Sequence, residues 1–239
     1  MWTLALIVSV VLGADAPIID RAIAFHGGDL YSASIVDLEL CSKSGCNQIR
    51  SVVDGDRYGH TVTATVSGKE RRVRITNDLT QAWENDTPVD VQDFEVQDWR
   101  DWAMARVYFA FLPYRLRDPS VRVEDRGVVD WEGGRRHEVR VTFEAGSSTD
   151  ASDVYRYWFD PKSGRLEAFA YSYDGNTNGL RYRRAINHRQ VDGILFFDQI
   201  NLGIEGEGLS VDDIDPTFIE TKMREVSRIT LDKIEVRPL

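Results

Sequence analysis

A chain of 239 residues with 42% hydrophobic residues carries enough apolar material for one medium domain with a sizeable core, and too much for a disordered chain. With 29 Lys and Arg against 39 Asp and Glu, the formal net charge is -10. That balance argues against a nucleic-acid partner and against electrostatic attachment to anionic headgroups.

Residues 2–12 form a run of mostly apolar residues, followed by the small residues Gly13, Ala14 and Ala16. The pattern predicts an export signal over 1–14 and one domain over 15–239. The run is too short to span a bilayer, which needs roughly 20 residues. No Lys or Arg precedes it, and no cysteine lies near the cleavage region. The expected product is therefore periplasmic, soluble and not lipid-anchored.

Residues 17–25 predict a helix. Pro17 suits a first turn, Ile18, Ile19, Ala22 and Phe25 recur at helical spacing, and Gly27 and Gly28 end it. His26 in the last turn reads as a dipole-compatible residue. From Ser34 the period changes to two. Strands are expected over 35–40, 49–58, 61–66 and 72–76, with Asp54-Gly55, Tyr58-Gly59 and Ser67-Gly68 as turns. Cys41 and Cys46 flank a tight turn, and in an exported protein they read as a disulfide across a hairpin, against two free thiols. His26, His60, His137 and His188 are scattered without ligand spacing, so no metal and no cofactor is expected.

The middle of the chain predicts a helix over 94–112, with Trp99, Trp102, Ala103, Arg106 and Phe109 near helical spacing and Pro113 at its end. Its second half is apolar nearly all round. Such a helix must be covered on every side or face a cavity. Strands follow over 121–123, 127–131, 136–143, 154–159, 166–173, 180–186, 193–201 and 229–236. In 136–143, Val139, Val141 and Phe143 alternate with polar residues, whereas 154–159 is apolar or aromatic on both faces. Asp160-Pro161-Lys162-Ser163-Gly164 is a hairpin turn, and 203–220 reads as an acidic irregular loop. The fold class is mainly β (α+β): a strongly curved antiparallel sheet or half-open β-barrel closed by two helices.

No nucleophile elbow, zinc-protease motif, phosphate loop or dinucleotide fingerprint is present, and no catalytic residue is assigned. Asp174-Gly175-Asn176-Thr177-Asn178-Gly179 matches the first half of a calcium loop, but Ala185 stands where the bidentate Glu belongs, so a plain turn is the better reading. Arg181-Tyr182-Arg183-Arg184 reads as a solvated or ion-paired face, against an anion site. The aromatic set is either an ordinary core or the lining of an apolar cavity. Its candidate ligand-binding members are Trp99, Trp102, Phe109, Phe111, Tyr155, Tyr157, Trp158, Phe169 and Tyr171, with 94–114 as plug or lid and 154–173 as part of the wall.

Three segments carry a resemblance: Ala24-Phe25-His26-Gly27-Gly28; Tyr108-Phe109-Ala110-Phe111-Leu112-Pro113-Tyr114 running to Asp118-Pro119; and Asp153-Val154-Tyr155-Arg156-Tyr157-Trp158-Phe159-Asp160 running to Ala170-Tyr171-Ser172-Tyr173, then on through Arg181-Tyr182-Arg183 to Val191-Asp192-Gly193-Ile194. Together they resemble a family of uncharacterised bacterial envelope proteins that is similar to the LolA/LolB-like lipoprotein-carrier superfamily. The resemblance implies a half-open antiparallel barrel around an apolar cavity, and binding of a lipid, acyl chain or other hydrophobic molecule in the envelope. It assigns no individual ligand residue, and the Cys41/Cys46 pair is outside its pattern. Three readings follow: carriage of a hydrophobic ligand without catalysis, a hydrolase using carboxylates or a histidine in the same cavity, or a sheet that docks an envelope protein.

Overall fold

A computed structural model of the chain describes residues 17–90, 94–144, 153–173 and 179–239. The predicted export signal and residues 174–178 of the calcium-like stretch lie outside them.

Helix α1 (Ile18–Phe25) forms as predicted and buries Ile18, Ala22 and Ile23. Six strands follow as a meander: β1 (Ala33–Ser42), β2 (Gly45–Asp54), β3 (Arg57–Val66), β4 (Lys69–Thr76), β5 (Thr80–Glu84) and β6 (Thr87–Val89). Helix α2 (Phe94–Ala110) leads through a 3-10 turn, Tyr114–Arg117, into a second meander. That meander comprises β7 (Val121–Trp131), β8 (Gly134–Phe143), β9 (Tyr155–Phe159), β10 (Leu166–Tyr173), β11 (Gly179–Val191) and β12 (Ile194–Glu205). Helix α3 (Pro216–Lys222) precedes β13 (Arg224–Pro238).

The strands make one antiparallel sheet in the order β6-β5-β4-β3-β2-β1-β13-β12-β11-β10-β9-β8-β7. The last strand thus joins the two meanders by pairing with β1 on one side and β12 on the other. The end strands β6 and β7 do not pair, so the barrel stays open. Its curvature is visible in what α2 touches. Trp99, Ala103, Val107 and Ala110 share a core with Leu38, Val62, Val73 and Ala82 from the first meander. Tyr108 and Phe109 pack against Tyr155, Tyr157, Phe169 and Tyr171 from the second. One helix reaches both halves because the sheet wraps around it.

A third cluster lies on the other face of the second meander, where Val211, Ile214, Ile219 and Met223 cover Trp131, Trp158, Ala170 and Tyr182. The segment expected as an irregular acidic loop is therefore an ordered cap. Its carboxylates point outward while every third or fourth residue is apolar, and Asp215 caps α3 through its side chain to the Phe218 N–H.

Other boundaries differ for local reasons. The two-residue turn at Asn85-Asp86, both at positive φ, makes the unpredicted hairpin β5–β6. Tyr58-Gly59 lies inside β3, since the chain has already turned at Gly55 (φ +56). The two strands expected over 121–131 are one strand, kinked by a bulge at Gly127 (φ +73). At the Asp160 turn, Asp160 Oδ1 accepts from the N–H groups of Lys162 and Ser163. Gly164 there runs so close to α1 that an added Cβ would lie 2.7 Å from Ala22 N. Cys41 and Cys46 face one another across β1 and β2 and form the expected disulfide.

Candidate functional site

The wall of the site is built by strand alternation. On β9, Tyr155, Tyr157 and Phe159 face α2, and Arg156 and Trp158 face the α3 side. β10 adds Phe169 and Tyr171 to the α2 side, in register with Tyr157 and Tyr155. Phe109 of α2 lies on this wall, with ring centroids 5.8 Å from Phe169 and 5.4 Å from Tyr171. The Tyr108 and Tyr157 hydroxyls meet at 2.5 Å.

Most of the aromatic set is thus packed, but not all of the space is filled. A cleft of about 280 Å³ runs along the flank of α2, lined by Met104, Tyr108, Phe109, Phe143, Tyr155 and Tyr58, with Arg100, Asp101, Arg115, Asp118 and Ser120 as its polar part. Its volume sits at the lower limit of small-molecule sites. Burial pushes the Tyr108, Tyr155 and Tyr157 hydroxyls well above their ordinary range, so they stay neutral donors and acceptors. Burial also raises Asp118, against the opposing pull of Arg115 at 2.8 Å.

Of the candidate residues, Phe109, Tyr155, Tyr157, Phe169 and Tyr171 come together in one packed cluster, and Phe109 and Tyr155 of these line the cleft. Trp99 and Phe111 belong to the neighbouring core under the first meander, where Arg71 covers the Trp99 ring at 4.3 Å. Trp102 is half-buried beside Arg106. Trp158 is on the opposite face, stacked on Trp131 at 4.0 Å, and the structure does not bring it to the cleft. Odd and even positions of one strand cannot share a face.

Sequence reasoning passed over Met104, Arg115 and Asp118, which are single residues without a motif. It also grouped Arg181 to Arg184 as one paired face. Arg181 and Arg184 do pair, with Glu205 and Glu132, but Arg183 is buried on the α2 side against Phe109. Alternation along β11 would have separated it from Tyr182 and Arg184, though not from Arg181, which shares its face.

No histidine lines the cleft. His26 and His60 are buried elsewhere, and burial, the largest cause in both, lowers each to about 3. His26 is therefore neutral and does not complement the helix dipole. Its Nε2 accepts from the Leu166 N–H at 3.1 Å. Asp101 and Asp118 each lie within an arginine pair, at 3.5 and 2.8 Å. Glu39, Cys41 and Cys46 are the one metal-like grouping among the described residues, and the disulfide leaves no thiolate there to ligate.

No helix among the described residues is long and apolar enough to cross a membrane. No curated protein matches the sequence. A LolA superfamily protein from Nitrosomonas europaea is similar in structure, at TM-score 0.52 and 9% identity over 93% of each chain. A putative outer membrane lipoprotein-sorting protein domain from Vibrio parahaemolyticus gives TM-score 0.42 and 11% identity over 92% of this chain and 90% of that one. A DUF1329 family protein from Desulfovibrio piger gives 0.48 and 10% over 92% and 91%. The first of these shows the shared LolA-like fold. In sequence, residues 56–222 match the model of a Family of unknown function (DUF6503), and this chain belongs to that family.

Proposed function

We propose that the protein binds and carries a hydrophobic molecule, a lipid or acyl chain, in the bacterial envelope without changing it chemically. One observation carries the reading: α2 occupies the concave side of the half-barrel and leaves an open aromatic cleft along its flank, lined by Met104, Tyr108, Phe109, Phe143 and Tyr155. In this reading α2 is a plug, and an apolar ligand widens the cleft by taking its place against the tyrosine and phenylalanine wall. The LolA-like fold supports it, as does the predicted export signal. A docking surface is less favoured. Among the described residues, the large apolar side chains left exposed, Phe25, Leu79, Val123, Val128 and Leu239, belong to four separate parts of the chain. A hydrolase is less favoured too, since the carboxylates at the cleft are engaged by arginines.

The test is to purify the protein from its native envelope, extract it with organic solvent and identify what is released by mass spectrometry. The expected result is an apolar molecule at about one per chain. A protein that comes out empty and also fails to take up a fluorescent fatty acid would overturn the reading.

A further inference from the structure

Most arginines in this acidic chain have a carboxylate. Arg181 and Arg184 reach Glu205 and Glu132, and Arg156 reaches Glu138. Two arginines at the junction of α2 and the wall do not. Arg183 is 8% exposed and has no carboxylate partner among the described residues. Its Nη1 donates to Gln199 Oε1 at 2.9 Å and its Nη2 to the Tyr171 hydroxyl at 2.6 Å. The guanidinium lies 4.0 Å from the Phe109 ring centre. Its Nε is buried without a partner among the described residues, and so is Oδ1 of Asn201, the residue opposite Arg183 on β12. Arg106 stands one turn before Phe109 on α2. It donates to the Trp102 carbonyl at 3.0 Å, stacks on the Trp102 ring at 4.6 Å, and likewise meets no carboxylate among the described residues.

Two cations held near each other in apolar surroundings are costly. Arg106 registers this: burial first, then the charge of Arg183, lower it to about 10. The arrangement around them is built. Gln199 is anchored by its amide donating to the Phe109 carbonyl at 3.2 Å, which fixes the acceptor that orients Arg183. A guanidinium presents a planar fork of donors that matches a carboxylate or phosphate.

We propose that Arg106 and Arg183 seat the anionic headgroup, carboxylate or phosphate, of an amphiphile whose apolar part lies between α2 and the aromatic wall. The inference rests on the hydrophobic-carrier reading and narrows it: the cargo is an acid, not a neutral lipid. Arg183 belongs to the wall and Arg106 to the plug, so a bound head bridges the two and neutralises both. Phe109 is shared by the arginine site and the cleft.

The test is calorimetric titration of the folded protein with dodecanoate, dodecyl phosphate, dodecanol and inorganic phosphate, each below its micellar concentration. The two anionic amphiphiles are expected to bind about 10- to 100-fold more tightly than dodecanol, as charge-assisted hydrogen bonds allow. Inorganic phosphate alone is expected to bind weakly or not at all. Arg183→Met and Arg106→Met are each expected to bring the acids down to the affinity of dodecanol while leaving dodecanol unchanged. Arg106→Lys should keep part of the preference. If Arg183→Met does not fold, as judged by circular dichroism, Arg106→Met, on a half-buried position, carries the comparison. Equal binding of acid and alcohol would overturn the headgroup seat and leave the carrier reading standing. Binding of no amphiphile would overturn both. Inorganic phosphate binding as tightly as dodecyl phosphate would replace the amphiphile with a free anion, and so overturn the proposal.

Discussion

His60 is fully buried in β3, with Nδ1 3.0 Å from the Ser51 hydroxyl and its ring stacked on Tyr58. Burial lowers it to about 3, and the nearby charge of Arg115 works in the same direction. His26 is lowered to about 3 by burial and then by His188, which is itself shifted downward by burial. The sign of the linkage follows. Above pH 6.5 both histidines are neutral folded and unfolded, and they add no pH dependence. Below it, the unfolded chain takes up protons that the folded chain refuses, so stability falls until about pH 3. Each such group costs about 1.4 kcal/mol per pH unit at full slope. The two together predict a loss of roughly 2 to 3 kcal/mol between pH 6 and pH 5. Asp125 and Asp160, both lowered, act in the same sense only at more acid pH. Urea midpoints measured at pH 7, 6 and 5 check this, and His60→Gln should remove about half of the slope. A midpoint that does not move across that range would mean that the histidines are protonated in place.

The cap formed by 206–223 shows how one buried ion pair fixes an element. Arg156 donates from Nε and Nη2 to Glu138 at 3.0 and 2.9 Å, and its Nη1 reaches the Val211 and Ile214 carbonyls at 3.0 and 2.8 Å. Glu138 also accepts from the Trp158 indole at 3.0 Å. Arg156→Met leaves Glu138 charged and buried while releasing the cap. It should cost about 3 to 5 kcal/mol, and Glu138→Gln in the same chain should restore part of that. Thermal or urea unfolding of the single and double variants reads the coupling, and a single variant within about 1 kcal/mol of the parent would show that the pair is dispensable. This element was hidden in the sequence because its five acids are interspersed among its apolar residues, which follow no single helical or strand period. The strands were legible because period-two alternation is local. So was α2, through its helical spacing and Pro113. The β5–β6 hairpin had a readable cue in Asn85-Asp86, overlooked because Thr80 to Val89 alternates weakly. The site was half legible. Aromatics on 155–171 pointed to the wall, but Trp158 and Arg183 could be sorted only by applying alternation residue by residue. That Arg106 meets no carboxylate among the described residues is a property of tertiary packing that no single segment encodes.

At the scale of the whole molecule, the sheet is continuous without α2. β13 pairs with both β1 and β12, so the two meanders are hydrogen-bonded through the centre. The open ends are guarded differently: β6 is three residues long and carries Pro88, and β7 carries Arg122, Glu124, Asp125, Arg126 and Asp130 along with its bulge. The helix is therefore an insert in a sheet that can hold its own ladder. It draws stability from Trp99, Ala103 and Val107 against one half and Phe109 against the other. It gives some back in the two arginines that meet no carboxylate among the described residues and in the cleft on its flank. The plug proposed for α2 must open without unfolding the wall, and these terms predict that α2 lies toward the low end of local stability. Native-state hydrogen exchange tests this directly. Amides over 99–110 should exchange through an opening of distinctly lower free energy than those of β1, β12 and β13, and their sensitivity to urea should be smaller, since only part of the buried surface is exposed. If α2 exchanges only with global unfolding, the helix is part of the core and the plug reading fails.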